Sequence, residues 1–414
     1  MRSAGTRRGR SRTDGVLACT VPHRDSTRER LYTEEVRAAG LMLALVVVAV
    51  DTADLKVRTS DTADLKVRTT QPGSQQTPPP GSQEPSPAAP QEPSPPSSAP
   101  EQTRPSFSEW LAELRVEAIG RGLREETVDK ALATVEEPLP VVLERDRSQA
   151  EVVLPLETYI ARQTRASIVR NGQQMAVRHA DLLKRIDERY AVAPHVIMAV
   201  WGIESNFGRF TGVRPIVGAL ATLAWDPRRS TLFRNELFSA LEILDRGYIE
   251  LASMRGSWAG AMGQPQFMPS SYLKYAEDFD GDSRRDIWKS PADIFASIAN
   301  YLKGSGWVDG ERWGREVKLS PDAKSIVAAD VARREDGCRA QREMTVSLPL
   351  SEWQRIGVRQ ADGTALPKAD LEASLVSGAT RHFLVYRNYD VLLDYNCAHA
   401  YALSVGLLSD RVAN

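Results

Sequence analysis

The sequence contains little cysteine and little histidine. Three Cys among 414 residues are too few for a scaffold built from disulfides. The five His are scattered without an HExxH or paired-ligand spacing, which argues against a catalytic zinc site. The chain also lacks a P-loop, a Rossmann glycine pattern and a G-x-S-x-G elbow. From these absences we expect that the protein uses no organic cofactor.

The chain carries almost no net charge. Its 53 Lys and Arg stand against 54 Asp and Glu, so the formal charge is −1. A chain this close to neutral has no long-range field to attract a phosphate backbone, and we expect no nucleic-acid partner. Hydrophobic residues make up 42% of the sequence, which is enough for a folded core.

A long apolar run is missing as well. Residues 38–50 form a stretch of thirteen residues without a charge, whereas a membrane-spanning helix requires roughly 20 apolar residues. Such a length is typical of the apolar core of a signal peptide. A buried strand or short helix is the alternative. We interpret residues 1–50 as an N-terminal extension that contains a signal-peptide-like segment.

Residues 51–105 differ in composition from the rest of the chain. Asp51–Thr59 recurs unchanged as Asp61–Thr69, and 12 of the 25 prolines fall in residues 71–105. Two copies are too few for a solenoid, and proline-rich polar segments form extended linkers. We therefore predict a disordered linker that follows an export signal. The folded part would then lie in the periplasm or cell envelope, either released or tethered by an uncleaved N-terminal segment.

From Ser106 onward the sequence is globular and mostly helical in its periodicity. Ser108 is a candidate N-cap for the first helix. Residues 315–320, 371–377 and 382–396 are rich in β-branched and aromatic residues, which favours a small sheet. The sequence predicts a mainly α fold (α+β) with a minor β-containing module. Further helices are expected at about 125–134, 155–170, 173–190, 195–204, 231–246 and 291–303.

Glu204 is the candidate catalytic residue. On an α-helix, Ile197, Trp201 and Glu204 lie at i, i+4 and i+7 on one face. A carboxyl group beside an indole, in the last turn of a helix, is expected to have a raised pKa. This pattern is typical of a general acid. The alternative is a glutamate at the edge of the face whose carboxylate reaches water.

Residues 257–272 combine small, amide-bearing and aromatic side chains. Gly260 and Gly263 allow the backbone to approach a ligand, while Gln264 and Gln266 supply donors and acceptors. These residue types suit a neutral ligand rich in hydroxyl and amide groups, such as a sugar. Six of the eight Trp lie within residues 201–313, although most Trp serve in cores.

Residues 278–286 resemble the first half of an EF-hand loop. Asp278, Asp280 and Asp282 occupy positions 1, 3 and 5, and the Arg284 carbonyl occupies position 7. Position 12 is a lysine, so the closing ligand must come from elsewhere, and Asp293 is the nearest suitable carboxylate. We favour a structural Ca²⁺ site. The alternative is an acidic turn balanced by the neighbouring arginines.

Cys338 and Cys397 both lie in the late part of the chain. In an oxidising compartment, one disulfide between them is favoured. Two free buried thiols are the alternative.

Six segments of the sequence, and the order in which they follow one another, resemble the lytic murein transglycosylase B family. They are WGIESNFG, ATLAWDPRRSTLFRNEL, SWAGAMGQPQFMPSSY, DFDGDSRRDIW, SIANYLKGSGW and DYNCAHAYAL. The resemblance covers residues 106–412. It implies a goose-type-lysozyme-like core with a helical N-terminal lobe and a small β-containing insertion. The implied parts are the lobe (106–190), the core with the EF-hand-like loop (191–313), the β-containing module (314–390) and a return to the core (391–414).

The resemblance also implies an activity. Members of this family cleave the β-1,4 bond between N-acetylmuramic acid (MurNAc) and N-acetylglucosamine (GlcNAc) in peptidoglycan strands, and they leave 1,6-anhydro ends. Their catalytic glutamate matches Glu204, and their metal loop matches Asp278, Asp280, Asp282 and Asp293. Their substrate-binding residues match Ser257, Gln266, Tyr301, Arg229, Tyr395, Asn396 and Tyr401. Glycan strands are the expected partner, and cell-wall synthesis complexes are a second expected partner.

The motifs around Glu204 contain no second catalytic carboxylate. One glutamate is sufficient if the 6-hydroxyl of the muramyl residue replaces water as the nucleophile. Two alternatives remain open from the sequence. One is a hydrolytic muramidase that leaves reducing ends, and the other is a non-catalytic scaffold that binds peptidoglycan.

Overall fold

The computed structural model describes residues 105–148 and 154–414. The signal-peptide-like run and the linker lie outside the described residues, so both interpretations stay predictions. In the described part of the chain, no helix is long and apolar enough to cross a membrane.

The described residues form a helical body with a five-stranded antiparallel sheet and a separate antiparallel pair of short strands, β1 and β2. The helices are α1 (Phe107–Gly120), α2 (Glu125–Leu132), α3 (Pro140–Ser148), α4 (Leu156–Gln163), α5 (Ala166–Arg178), α6 (Ala180–Tyr190), α7 (Pro194–Ser205), α8 (Ile216–Trp225), α9 (Ser230–Asp245), α10 (Pro269–Tyr275), α11 (Pro291–Gly304), α12 (Pro321–Asp330), α13 (Arg339–Glu343), α14 (Leu350–Ile356), α15 (Arg387–Tyr395) and α16 (His399–Val412). The strands are β1 (Arg214–Pro215), β2 (Arg255–Gly256), β3 (Gly314–Leu319), β4 (Leu348–Pro349), β5 (Val358–Gln360), β6 (Glu372–Ser377) and β7 (His382–Val385). The predicted mainly α fold is confirmed.

The first helix begins two residues earlier than predicted. Ser106, not Ser108, is the N-cap: its side chain accepts a hydrogen bond from the Glu109 N–H, and the Glu109 carboxylate accepts one from the Ser106 N–H at 2.8 Å. This reciprocal capping box requires a Glu three residues after the cap, and Ser106 satisfies that spacing whereas Ser108 does not.

Three longer predictions were wrong in their boundaries. The helices expected at 155–170 and 173–190 are three helices, α4 to α6, with breaks at Thr164 and His179. The Thr164 hydroxyl donates to the Ile160 carbonyl at 2.9 Å, which competes with continuation of α4. The strand expected at 382–396 ends at Val385 and is followed by helix α15, whose aromatic and aliphatic residues are buried at helical spacing.

The core consists of two hydrophobic clusters. The larger one surrounds α7, which packs against α5, α6, α11 and α16. The smaller one is centred on Trp353 and covers one face of the five-stranded sheet, whose order is β4-β6-β7-β3-β5. A disulfide between Cys338 and Cys397, with Cα atoms 6.3 Å apart, joins the start of α13 to the connection between α15 and α16. The sheet module is thereby linked covalently to the helical body.

Candidate active site

Glu204 lies in the last turn of α7, a helix that is buried along almost its whole length. Pro194 starts the helix at a position where a missing N–H costs nothing. The helix ends at Asn206, whose φ of 48° is left-handed and whose N–H donates to the Gly202 carbonyl at 3.0 Å. Glu204 is only 2% exposed. Its carboxyl group therefore does not extend into bulk water, which removes the surface alternative.

The pKa of Glu204 is raised to about 8 because its carboxyl group is buried. The nearby Tyr401 hydroxyl offsets part of this increase. Within the described residues, neither Oε1 of Glu204 nor the Tyr401 hydroxyl has a hydrogen-bond partner at ordinary geometry. The carboxyl group is therefore largely protonated near pH 7 and can donate a proton to a bound ligand.

The same shift predicts a pH-dependent stability. In the unfolded chain the carboxyl titrates near 4.5, and in the folded protein near 8. The native state is thus increasingly destabilised as pH rises through this window, because the unfolded chain releases this proton while the buried native carboxyl retains it. We expect the Glu204→Gln variant to exceed wild type in melting temperature by about 5 °C at pH 8.5, with little difference at pH 4.5. A difference that is independent of pH in calorimetry would contradict this expectation.

Three of the predicted tyrosines surround this carboxyl group. Burial raises the pKa values of Tyr301, Tyr395 and Tyr401, and the charge of Glu204 raises them further. The Tyr301 and Tyr395 rings lie 4.5 Å apart, and Tyr395 stacks on Tyr401 at 6.1 Å. Tyr301 donates to the Asp394 carbonyl at 2.7 Å, and Tyr395 donates to the Pro265 carbonyl at 2.8 Å. The fold brings these distant parts of the sequence to Glu204.

A fourth tyrosine was missed by the sequence analysis. Tyr159, in α4, is buried, and the charge of Glu204 contributes to its raised pKa. No local motif marks this residue; it is brought to the site because α4 packs against α16. Asn396, which was predicted, is fully buried, and in the described part of the protein its amide oxygen and nitrogen have no hydrogen-bond partner.

Ser257 and Gln266 lie in the tight loop that precedes α10. Ser257 Oγ accepts N–H bonds from Ala259 at 3.3 Å and Ala261 at 3.0 Å. Gln266 has a positive φ of 54°, and its Nε2 donates to the carbonyls of Gly263 at 2.7 Å and Thr211 at 3.2 Å. The loop adjoins the tyrosine cluster because the carbonyl before Gln266 accepts the Tyr395 hydroxyl.

Arg229 occupies a different position from the other predicted residues. It stands at the start of α9 and forms an ion pair with the buried carboxylate of Asp146. Arg228 pairs with the same carboxylate at 2.5 Å. Among the contacts of the described residues, none joins Arg229 to Glu204.

The acidic loop gathers three carboxylates. Asp278, Asp280 and Asp282 each place a carboxylate oxygen within 4.8 Å of the other two. Their internal hydrogen bonds come from backbone N–H groups and from the Ser290 hydroxyl, which donates to Asp280 at 2.7 Å. Asp293 lies outside this group of three and is fully buried. Its two oxygens accept N–H bonds from Phe279 and Asp286, both at 2.8 Å.

Residues 106–410 match the transglycosylase SLT domain family. The chain belongs to this family. The match includes every predicted site residue, from Glu204 to Tyr401, and it spans nearly all of the described part of the protein.

Individual relatives agree with this membership. The SLT domain of the present chain is similar to membrane-bound lytic murein transglycosylase B of Escherichia coli, with 32% identity over 246 residues. That match covers 59% of this chain and 64% of the relative. The chain is also similar to the solved structures of SltB3 from Pseudomonas aeruginosa in complex with NAG-NAM-pentapeptide and with NAG-anhNAM-pentapeptide. Both are 41% identical and cover 75% of this chain and 80% of SltB3, with TM-scores of 0.68 and 0.67.

A third relative is the lytic transglycosylase Slt35 of Escherichia coli, solved in complex with calcium. It is 26% identical, has a TM-score of 0.61, and covers 75% of this chain and 93% of that protein. These structural relatives confirm the fold class, a mainly α domain with a lysozyme-like core.

In this SLT domain, Gln264 connects the helix of Glu204 to the acidic loop. Its Oε1 accepts the Trp201 indole N–H at 2.7 Å, and its Nε2 donates to the Trp288 carbonyl at 2.7 Å. Its backbone N–H donates to the Ile287 carbonyl at 2.9 Å. Trp201 lies one turn before Glu204, so Gln264 helps to hold the orientation of the last turn of α7.

Replacing Gln264 with Leu removes two of these bonds and leaves the indole N–H of Trp201 unpaired. Because two hydrogen bonds are lost, we expect the free energy of unfolding to fall by about 2 kcal/mol. We also expect kcat to decrease more than KM changes, because the last turn of α7, which carries Glu204, is held less firmly. Urea unfolding and initial rates on purified sacculi measure both quantities. The control is Gln173→Leu, which removes one exposed bond to the Arg411 carbonyl. Equal behaviour of the two variants would contradict the expectation.

Proposed function

We propose that this chain is a lytic murein transglycosylase. It cleaves the β-1,4 bond between MurNAc and GlcNAc in peptidoglycan strands and leaves 1,6-anhydro-MurNAc ends. Family membership and similarity to SltB3, solved with NAG-NAM- and NAG-anhNAM-pentapeptides, support this assignment. The observation that carries it is the electrostatic isolation of Glu204. Burial and Tyr401 account for its pKa, and no second carboxylate among the described residues contributes.

This isolation distinguishes the site from that of a two-carboxylate glycosidase. Retaining enzymes place the second carboxylate about 5 Å from the acid, and inverting enzymes place it about 6.5–9.5 Å away. A negative charge at either distance in a buried site would raise the pKa of Glu204 by repulsion. Within the part of the chain that the structure describes, this pKa is shifted by burial and by the neutral Tyr401 hydroxyl, and by no carboxylate. Water activation by a second carboxylate therefore has no support here.

A single glutamate can complete the reaction in two proton transfers. Protonated Glu204 donates its proton to the glycosidic oxygen as the bond from that oxygen to C1 of MurNAc breaks. The resulting carboxylate then accepts the proton of the 6-hydroxyl of the same MurNAc, as O6 forms a bond to C1. Glu204 is thereby restored to its protonated form, and no water is consumed.

The neutral groups around Glu204 fit an uncharged sugar backbone. Ser257 accepts two backbone N–H bonds, so its own O–H proton remains for a ligand acceptor. The Asn396 amide supplies one donor and one acceptor to an acetamido group. Together with Gln266, Tyr301, Tyr395 and Tyr401, these groups form the proposed glycan groove. Arg229, which forms an ion pair with Asp146, is proposed to contact the glycan or its stem peptide.

Clearing of purified sacculi tests whether the chain is an enzyme. Wild-type protein should reduce the turbidity of a sacculus suspension, and the heat-denatured protein should not. Binding to sacculi without a decrease in turbidity would mean that the chain is a peptidoglycan-binding scaffold, and the proposal would fail.

A structural Ca²⁺ ion is the second part of the proposal. The oxygen donors of Asp278, Asp280 and Asp282 are clustered as a hard cation requires, and the Arg284 carbonyl lies in the same loop. Asp293, the expected closing ligand, lies outside this cluster, and its oxygens accept the N–H groups of Phe279 and Asp286, which hold the loop. The presence of calcium in the Slt35 structure supports this assignment.

We expect EGTA to lower the melting temperature of the protein by about 5 °C, because removal of a ligand that binds the folded state removes its linkage free energy. Added Ca²⁺ should restore the original value. Mg²⁺ should not, since it demands a smaller octahedral site. The Asp280→Asn variant should show a smaller response to EGTA. Identical melting curves with and without the chelator would reduce the loop to an acidic turn.

The proposed substrate requires a location outside the cytoplasmic membrane. The apolar run at 38–50 and the linker at 51–105 supply an export signal and a tether in this proposal. Association with cell-wall synthesis complexes follows from the same location. Mass spectrometry of the mature N-terminus would test the signal: a peptide that begins at Arg2 would contradict export by this segment.

A further inference from the structure

The segment that follows α7 has an unusual backbone. Asn206, Phe207 and Gly208 all have positive φ, at 48°, 59° and 79°. The first two are not glycine, so this turn is strained and must be held by its surroundings. Residues 209–213, which we name the rim loop, follow directly after this turn.

Three consecutive residues of the rim loop contact the proposed site. The Phe210 N–H donates to the carbonyl of Ser205, the neighbour of Glu204, at 3.0 Å. The Thr211 carbonyl accepts the Gln266 side chain at 3.2 Å. Gly212, at φ 84°, lies so close to the Gly256–Ser257 peptide that a Cβ would be 2.1 Å from the Gly256 carbonyl carbon. The loop therefore contacts, at three successive residues, the neighbour of Glu204, then Gln266 itself, and then the Gly256–Ser257 peptide.

This rigid loop presents apolar side chains to solvent. Phe210 is 50% exposed and Val213 is 70% exposed. Among the described residues, every other Phe, Trp and Tyr is buried or half-buried. An exposed aromatic ring has no role in the core, and these backbone contacts fix the position of Phe210 on the surface before a ligand arrives.

We propose that Phe210 is a sugar-binding platform at the edge of the groove, on which the apolar face of a hexosamine ring of the glycan strand stacks. This inference rests on the proposed function, because it names an additional binding position for the same substrate. Hexosamine rings carry a face of C–H groups that packs on an aromatic ring, and a preformed platform costs little entropy on binding. Continuity with Ser257 and Gln266 makes the glycan strand the occupant rather than a protein partner.

Binding of glycan strands freed of stem peptides tests the platform, with the Glu204→Gln background used to prevent turnover. In that background, Phe210→Ala should weaken the Kd for these strands about fivefold or more, and Phe210→Trp should restore it. Phe210→Leu, which keeps the apolar character without a flat face, should not restore it. The matched control is Val116→Ala, an exposed apolar residue on α1.

In the wild-type background, Phe210→Ala should raise KM for the same strands by a similar factor with kcat and melting temperature unchanged. An unchanged Kd and KM, or a loss no larger than that of Val116→Ala, would overturn the platform. No binding by any of these proteins would overturn it as well. If wild type binds strands but does not cleave sacculi, the proposed function fails, and the ratio of Kd values still decides whether Phe210 binds sugar.

Discussion

Replacement of Glu204 by Gln should lower the turnover of peptidoglycan by about 10³-fold, within the range for a general acid–base residue. The amide has nearly the same shape as the protonated carboxyl that burial favours at neutral pH. The variant should therefore fold as wild type and bind glycan strands with similar affinity. A loss of rate with intact binding would place Glu204 in the chemical step.

Glu236 provides a matched control for this substitution. It is also a glutamate with 2% exposure and a pKa raised by burial. Its carboxylate, however, accepts the Ser270 N–H at 2.9 Å and the Ser270 hydroxyl at 2.6 Å, so it caps α10. We expect Glu236→Gln to lose stability but to retain most of its turnover per folded molecule. Undiminished activity of Glu204→Gln would remove Glu204 from the mechanism.

The rate should depend on pH through the same carboxyl group. Because the pKa of Glu204 is about 8, the free enzyme is in its acid form at neutral pH. We expect kcat/KM to be nearly constant from pH 5 to 7.5 and to fall about tenfold per pH unit above 8. An ordinary exposed glutamate would have lost its proton near pH 4.5 and would be inactive as an acid at pH 7.

Initial rates on soluble glycan strands at constant ionic strength measure this profile. Near-UV circular dichroism at each pH serves as the control, since unfolding at high pH would also reduce the rate. A decrease in kcat/KM centred near pH 5, in protein that remains folded, would contradict the burial argument.

The location of Glu204 was predictable from the sequence because its determinants are local. A proline at the helix start, an apolar face and a turn at Asn206 all lie within thirteen residues. The tyrosines around it are different. Tyr301, Tyr395 and Tyr401 came only from family resemblance, since no periodicity relates residues that are a hundred positions apart. Tyr159 lay outside every motif, and its place in the site depends on helix packing alone.

The errors have equally specific causes. A serine at 108 looks like a cap until the glutamate spacing from Ser106 is considered. Residues 387–395 have the composition of a strand, but burial of Tyr389, Leu392 and Leu393 follows a helical period. The sequence indicates that the amide of Gln264 is available to a ligand, whereas in the structure its side chain bonds to Trp201 and Trp288. Tertiary hydrogen bonding of this kind leaves no local signal in the sequence.

The identity of the reaction product tests the account most directly. Sacculi digested with wild-type protein should yield muropeptides whose MurNAc ends are 1,6-anhydro, with a mass lower by one water than hydrolysed ends, and Glu204→Gln should yield almost none. Products with reducing MurNAc ends would show that water is the nucleophile. That result would contradict the single-glutamate mechanism and identify the chain as a hydrolytic muramidase.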